Sequence, residues 1–347
     1  MMIQLRADGG IRSELLAAAM AIAVMGIALL VVPIPRESGE EAPAGDWLIL
    51  RNESILMYEK LILRNELRRR VVDYVYIVVP RNTSFQKCYI KELKPGIFEL
   101  RVDEDGNTFA VVRMEAEPGE RVVIEAAFRI VKAEYKVLWE NVKTAWPRLD
   151  DARRLSGPTA VWNVDNSTLR DLAELNGAGD EPLEVVKSLA EWIKAHLDYR
   201  VLGIRLGSDH AILRIGGSLV VRGDCVEVCD VLVTLARIRG IPARAAFGFL
   251  LSYRDERMWL NFTREEGEEL LSHWGGHMWP QVLIEPLGWI DVELLEGGEV
   301  KVGDYSWRHV LLGVEETRYY GTTLSNFCIP GSLTLEYVEV SFRSEEG

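Results

Sequence analysis

A cysteine stands where the sequence predicts the start of an apolar helix. The segment Gly223–Arg244 reads GDCVEVCDVLVTLARIRGIPAR, and Cys225 is the first residue of its apolar run. The nucleophilic form of cysteine is the thiolate, which the free N–H groups and dipole at a helix N-terminus stabilise. Cys229 lies one turn further along, on the apolar face, and is predicted to be a core residue. The alternative for Cys225 is that it is a buried core thiol as well.

A histidine and two acids follow on two predicted strands. His277 opens the segment HMWPQVLIEPLGWIDVELL and can act as a general base toward Cys225. Such a base needs a carboxylate that holds its second ring nitrogen. Asp291 and Glu293 lie on the following strand and, with a period of two, on the same face. Alternation therefore leaves both acids open.

The elements around these residues predict an α+β domain. The helix after Cys225 is apolar on most sides, so we expect it to be central, and it ends at Gly240 before Pro242. Two shorter helices precede it, one with Ser167 as its expected N-cap and one beginning at Pro182. Strands follow it, interrupted by a charged segment at 254–276 that is interpreted as a surface excursion.

The region before the helices is rich in predicted strands. From Trp47 to about Val137, β-branched and aromatic runs such as VVDYVYIVVP and RVVIEAAFRIV alternate with turn residues. This pattern is typical of a β-sandwich of roughly a hundred residues. The last forty residues contain further β-like runs that could close a sheet.

The amino terminus predicts a membrane anchor. Residues 15–32 carry no charge and are just long enough to span a bilayer core of roughly 30 Å. Arginines precede this run and glutamates follow it, which places residues 1–14 in the cytoplasm and the rest of the chain outside. A cleaved signal peptide, cut near Ala42–Ala44, is the alternative.

Composition excludes some classes of protein. The 347 residues suffice for two domains, and 48% are hydrophobic. A net charge of −13 argues against a nucleic-acid partner, because phosphate binding needs a basic surface. The four cysteines have no zinc-finger spacing, so neither a metal nor another cofactor is predicted. A structural zinc protein is kept as a third hypothesis.

The motifs together resemble the transglutaminase-like superfamily of papain-type cysteine enzymes. GDC opens the helix, LARIRGIPAR ends it, and HxW and GWxxxE lie on two strands, so that the match covers about 165–293. The resemblance implies Cys225 as nucleophile, His277 as base and Glu293 as the acid, with Asp291 as the alternative acid. Two features resemble the membrane-anchored, exported bacterial and archaeal members of this superfamily. One is the proline after the tryptophan of HxW, and the other is a glutamate in place of the aspartate.

Further residues are candidates for the same cleft. Trp279, Asp224 and His210 are predicted to line it. His273 in HWGGH is predicted to be a loop histidine and not a metal ligand. For the oxyanion, the sequence suggests one donor, the backbone N–H of Cys225.

The sequence thus predicts an α+β chain with an N-terminal transmembrane helix, a β-sandwich and a papain-like transglutaminase-core domain. The predicted parts are 1–36 (cytoplasmic tip and anchor), 37–46 (linker), 47–145 (β-sandwich), 146–300 (catalytic domain) and 301–347 (C-terminal β segment).

The predicted function is an extracytoplasmic acyl-transfer enzyme of the cell membrane. A Cys-His-Glu triad would act on a peptide or protein substrate as a peptidase or amidase, through a thioester. The alternatives are a protein-cross-linking transglutaminase and an inactive binding protein of the cell surface.

Overall fold

A computed structural model describes residues 46–148, 150, 153, 155–263, 275–316 and 327–345. The predicted anchor at 15–32 and the possible cleavage site at Ala42–Ala44 lie outside these residues. Within them, no helix combines the length and the apolarity needed to cross a bilayer. The anchor and the location in the cell therefore stay predictions.

Strands make up most of the regular secondary structure in the described chain. In chain order they are β1 Trp47–Arg64, β2 Val71–Val79, β3 Gln86–Lys94, β4 Glu99–Val102, β5 Thr108–Ala116, β6 Arg121–Val137, β7 Leu197–Tyr199, β8 Ile212–Ile215, β9 Ser218–Gly223, β10 Ala243–Leu250, β11 Glu256–Asn261, β12 Gly276–Ile284, β13 Gly288–Glu293, β14 Lys301–Val302, β15 Asp304–Tyr305, β16 His309–Glu315, β17 Phe327–Cys328 and β18 Thr334–Ser344. The helices are α1 Ser167–Asn176, α2 Pro182–Ala195, α3 Ser208–Ala211 and α4 Cys225–Ile238.

Two sheets form the N-terminal half, as the run of β-branched residues predicts. In the first sheet, β1 pairs with β6 along its whole length, and the order is β11-β18-β1-β6-β15, with β3 also on β6. The second sheet has the order β17-β2-β5-β4. Alternate residues of β1, such as Met57 and Leu61, are fully buried, and they share one core with Val75 and Val112 of the second sheet.

The C-terminal strands complete sheets that begin earlier in the chain, as the β-like runs in 301–347 suggest. Strand β18 lies between β1 and β11, β15 joins the edge of the first sheet, and β16 pairs with β10 in the core domain. The predicted surface excursion is wrong in part, because Glu256–Asn261 is a paired strand. Register with distant strands is set by tertiary contacts, which local patterns do not encode.

A third sheet packs against helix α4, and the helices lie at the positions in the chain where the sequence predicts them. Strands β14-β13-β12-β10-β16 form a five-stranded sheet that packs against α4. Every residue of α4 from Cys225 to Arg237 is buried, so the helix is central as predicted. Helix α2 begins at Pro182 as predicted, whereas the N-cap of α1 is Asn166 and not Ser167, because the Asn166 side chain accepts the Leu169 N–H.

Candidate active site

A tight capping arrangement places Cys225 at the first position of α4. The Asp224 carboxylate accepts the N–H of Val226 at 3.0 Å, and the Glu227 carboxylate accepts the N–H of Asp224 at 3.2 Å. This reciprocal pair is a capping box. Gly223 precedes it with a φ of +153°, and a side chain there would collide with Glu227. The sequence GDC therefore fixes where the helix starts and which way the thiol points.

His277 lies between the thiol of Cys225 and the carboxylate of Glu293. Its Nε2 is 2.8 Å from Glu293 Oε2, and Cys225 lies close enough to the ring to raise the pKa of His277. Since Nε2 is taken by the carboxylate, Nδ1 is the nitrogen left for the sulfur. Burial lowers the pKa of His277, but the charge of Glu293 and the contact with Cys225 outweigh burial and raise the pKa to about 10.

The Glu293 carboxylate is buried and accepts four hydrogen bonds. Oε2 accepts from His277 and from His309, whose Nε2 is 3.0 Å away. Oε1 accepts the backbone N–H groups of Leu295 at 2.6 Å and Glu296 at 3.1 Å. Burial raises the pKa of Glu293, yet the two histidines lower it by more, so the pKa lies well below its usual range. The group is therefore a carboxylate at neutral pH.

Asp291, the alternative acid, binds a different set of partners. It accepts hydrogen bonds from the Trp279 and Gln281 side chains, both at 2.7 Å, and from the hydroxyl of Tyr135. Same-face neighbours on a strand are about 6.6 Å apart, so only one of the two acids can reach a given histidine. The geometry makes Glu293 the partner of His277, while the catalytic roles themselves stay predictions.

The three predicted cleft-lining residues occupy different places. Trp279 is 1% exposed and stacks at 5.7 Å behind the His277 ring, so it does not line an open cleft. Asp224 is the N-cap of α4. His210 is exposed and pairs with Asp209 in the same helical turn, at 2.8 Å. His273 lies outside the described residues.

His309 is a site residue that the sequence analysis missed. It opens β16, which pairs with β10 on the side opposite to β12, so that β10 lies between the strands of the two histidines. Gly248 of β10 lies opposite His277, and a side chain there would collide with the Val310 carbonyl oxygen. Because this strand order follows from the whole fold, no local motif points to His309.

Tyr199 is a second missed residue. The parallel pairing of β7 with β9 sets Tyr199 opposite Gly223, two residues before Cys225. Its side chain is 55% exposed. Burial raises the pKa of Tyr199, and Cys225 and Asp224 raise it further. The sequence offered a weak signal, since this tyrosine lies in HLDYR within the matched segment.

The donor set of His277, Glu293 and His309 is also of a kind that can hold a metal ion. One ligand atom from each of these buried side chains lies within 4.8 Å of the others. In this structure each histidine Nε2 bonds directly to Glu293 Oε2, and backbone N–H groups occupy Oε1. Direct hydrogen bonds thus account for the arrangement of all three.

Two solved structures resemble the fold. "The Crystal Structure of a Putative Cysteine Protease from Cytophaga hutchinsonii" matches with a TM-score of 0.53 and 14% identity, over 87% of this chain and 93% of that chain. The periplasmic domain of TgpA from Pseudomonas aeruginosa gives a TM-score of 0.33 at 14% identity, over 69% of this chain and 86% of that one. The match to the Cytophaga hutchinsonii structure shows that the two chains share a fold.

Sequence comparisons match one curated protein and one family model. A Haemophilus influenzae protein described as uncharacterized is 27% identical over 135 residues, which are 37% of this chain and 36% of that protein. The chain thus covers about a third of that relative's length. Residues 171–294, which contain Cys225, His277 and Glu293, match the core domain of the transglutaminase-like superfamily.

Proposed function

We propose that this chain is a cysteine-dependent acyl-transfer enzyme that works through a thioester on Cys225. The observation that carries the proposal is the His277 ring, which bonds to the Glu293 carboxylate at 2.8 Å and interacts with Cys225 at the start of α4. A nucleophile, a base and an orienting acid in this order are the arrangement that acyl transfer needs.

For each proton transfer in the reaction, the site contains a group that accepts or donates the proton. The thiol proton passes to His277, whose raised pKa of about 10 favours the protonated ring, and the sulfur attacks the carbonyl carbon of an amide. The C–N bond then breaks, and the imidazolium gives its proton to the leaving amine, which leaves a thioester on Cys225. In the second half, His277 takes a proton from water, and the water oxygen attacks the thioester carbon. The C–S bond then breaks, the free acid leaves, and the imidazolium returns its proton to the sulfur of Cys225. Glu293 holds the ring and stabilises its charged form in both halves.

The oxyanion of the tetrahedral intermediate needs donors near the sulfur. The backbone N–H of Cys225 at the start of α4 is one. We assign the Tyr199 hydroxyl as the second, on the basis of its exposure and its closeness to Cys225. A phenol donates to an anion without carrying a charge of its own, so it strengthens binding as the oxygen becomes negative.

Hydrolysis of a peptide or side-chain amide is the reaction we favour. Water serves as acceptor without a dedicated binding site, whereas cross-linking requires a place for an incoming lysine, and the sequence marks none. A cross-linking transglutaminase and a cell-surface binding protein are the alternatives. A binding protein would have no need of a buried, hydrogen-bonded Cys-His-Glu arrangement.

The proposed location is the outer face of a cell membrane. It rests on the uncharged segment at 15–32, with arginines before it and glutamates after it. The proposed partners are a peptide or protein substrate and the lipid bilayer.

Thiol labelling of the full-length chain tests the proposal. The experiment uses a peptidyl fluoromethylketone and a Cys328→Ser background, because Cys328 is exposed and would label on its own. We expect labelling to disappear in Cys225→Ser and to persist in Cys229→Ser, since Cys229 is fully buried. Equal labelling of Cys225 and Cys229, without dependence on His277, would contradict the enzyme.

A second assay separates hydrolysis from cross-linking. A peptide library is incubated with the chain in the presence and absence of a fluorescent primary amine. New amino termini or free acids indicate a peptidase or amidase, and incorporation of the amine indicates a transglutaminase. His277→Ala serves as the inactive control in both arms.

A further inference from the structure

Two imidazoles bond to one oxygen of Glu293. His277 Nε2 lies 2.8 Å and His309 Nε2 lies 3.0 Å from Oε2. The proposed mechanism uses the first contact and gives the second no role. His309 is 2% exposed by its side chain and lies outside the matched residues 171–294.

A second hydrogen bond to Oε2 is needed to hold the Glu293 carboxylate in one orientation. A glutamate has one more rotatable bond than an aspartate, so its carboxylate can turn away from a partner more easily. Oε1 is fixed by the N–H groups of Leu295 and Glu296. Oε2 is fixed from two sides only because His309 donates to it as well as His277. Burial would otherwise favour the protonated acid, and His309 is among the groups that lower the pKa of Glu293.

His309 is itself held on every side. Its Nδ1 lies 3.2 Å from the Ser306 hydroxyl, and its ring packs edge-on against Trp279 with centroids 5.0 Å apart. Tyr305 packs at 5.3 Å. The buried ammonium of Lys132, on β6 of the first sheet, donates to the backbone carbonyls of Trp307 and His309. These contacts leave the ring one orientation, with Nε2 toward Glu293.

We propose that His309 is a positioning residue of the active site, which fixes Oε2 of Glu293 so that Glu293 in turn orients His277. The inference rests on the proposed function, because positioning has a consequence only if His277 moves protons. The active site then extends beyond the superfamily core to β16, and the first sheet supports it through Lys132. His309 touches no substrate and takes no proton in this scheme.

The test compares two isosteric replacements. In His309→Gln the amide Nε2 occupies the place of the imidazole Nε2 and can donate to Glu293. In His309→Asn the amide occupies the place of Nδ1, so it can reach Ser306 but not Glu293. His309→Leu removes both contacts. His196→Leu is the control, since His196 bonds to Trp192 at 2.8 Å, away from the site.

Kinetics of the full-length chain give the first readout. We expect His309→Asn and His309→Leu to lower kcat by about 10²-fold with KM unchanged, because a loosened Glu293 misplaces the base and not the substrate. We expect His309→Gln to keep kcat within about fivefold of wild type. Equal losses in Gln and Asn, or no loss in Leu, would overturn the inference.

A spectroscopic readout works without any substrate. The proton between His277 Nε2 and Glu293 gives a far-downfield proton NMR signal, identified by its loss in His277→Gln. We expect the signal to be retained in His309→Gln and broadened or lost in His309→Asn and His309→Leu. An unchanged signal in all variants would overturn the inference. A chain without activity whose signal follows this order would reject the proposed function while supporting the positioning role.

Discussion

His277 Nε2 and Glu293 Oε2 are 2.8 Å apart, and their side chains are only 6% and 3% exposed. This buried pair distinguishes Glu293 from Asp291, which lies two residues away on the same strand but bonds to Trp279, Gln281 and Tyr135. The two acids therefore differ in what their replacement should do.

Glu293→Gln should abolish most of the activity, and Asp291→Asn should act mainly on stability. The glutamine amide can no longer stabilise a charged imidazole, so we expect kcat to fall by about 10²- to 10⁴-fold. Asp291→Asn disturbs three hydrogen bonds and should cost about 1–3 kcal/mol of unfolding free energy. Peptide hydrolysis and urea unfolding of both variants check this. A larger loss of kcat in Asp291→Asn at full stability would reverse the assignment.

Tyr199→Phe tests the second oxyanion donor. Loss of the hydroxyl should lower kcat by about 10²-fold, because an oxyanion is left with one donor. KM and the labelling of Cys225 by iodoacetamide should stay near wild type, since alkylation forms no oxyanion. Tyr253→Phe is the matched control, as its side chain is 71% exposed and lies in a different loop. Parallel losses in hydrolysis and alkylation would instead indicate that Tyr199 affects the thiol.

The unfolding free energy should respond to pH through two groups with opposite signs. The pKa of His277 is raised from 6.5 to about 10, so its contribution is present below pH 6.5 and is lost as the pH rises toward 10. Burial lowers the pKa of Lys132 from 10.5 to about 7, so the unfolded chain binds the extra proton between these values and stability rises with pH there. Between about pH 7 and 10 the two groups offset each other.

Single replacements should therefore separate the contributions of His277 and Lys132 to the pH dependence of the unfolding free energy. In Lys132→Met the unfolding free energy should fall with pH more steeply than in wild type, and in His277→Gln it should rise relative to wild type. Each difference can reach about 1.4 kcal/mol per pH unit. Urea unfolding at pH 7, 8 and 9 measures the slopes. Identical slopes in the three proteins would show that neither group titrates differently on folding.

Arg205→Leu should destabilise the core behind α4. The guanidinium is 2% exposed and bonds to Asp230 at 2.6 and 2.8 Å and to Glu315 at 2.5 Å. Its removal leaves two buried carboxylates without this cation, which should cost about 3–5 kcal/mol in thermal or urea unfolding. Arg200→Leu is the control, because its pair with Asp198 lies at the surface and should contribute about 0–1 kcal/mol. Similar losses in both variants would contradict the role of burial.

Local sequence signals predicted the parts of the fold that depend on local chemistry. Helix α4 and its start at Cys225 follow from an apolar run that opens after GDC and ends at Gly240 before Pro242. The choice between Asp291 and Glu293 needed the positions of Tyr135 and His309, which come from strands 156 residues before and 16 residues after the acids they contact. Such contacts depend on strand order, and strand order is a property of the complete fold.

The pairing of β1 with β18 joins Ile55 to Ser344. The segment between them must therefore be synthesised before β1 can find this neighbour. Until then one edge of β1 offers unpaired N–H and carbonyl groups to any other chain nearby. The nascent protein thus depends on protection against aggregation until β18 is free to pair, and a proteolytic cut that removed β18 would expose that edge again.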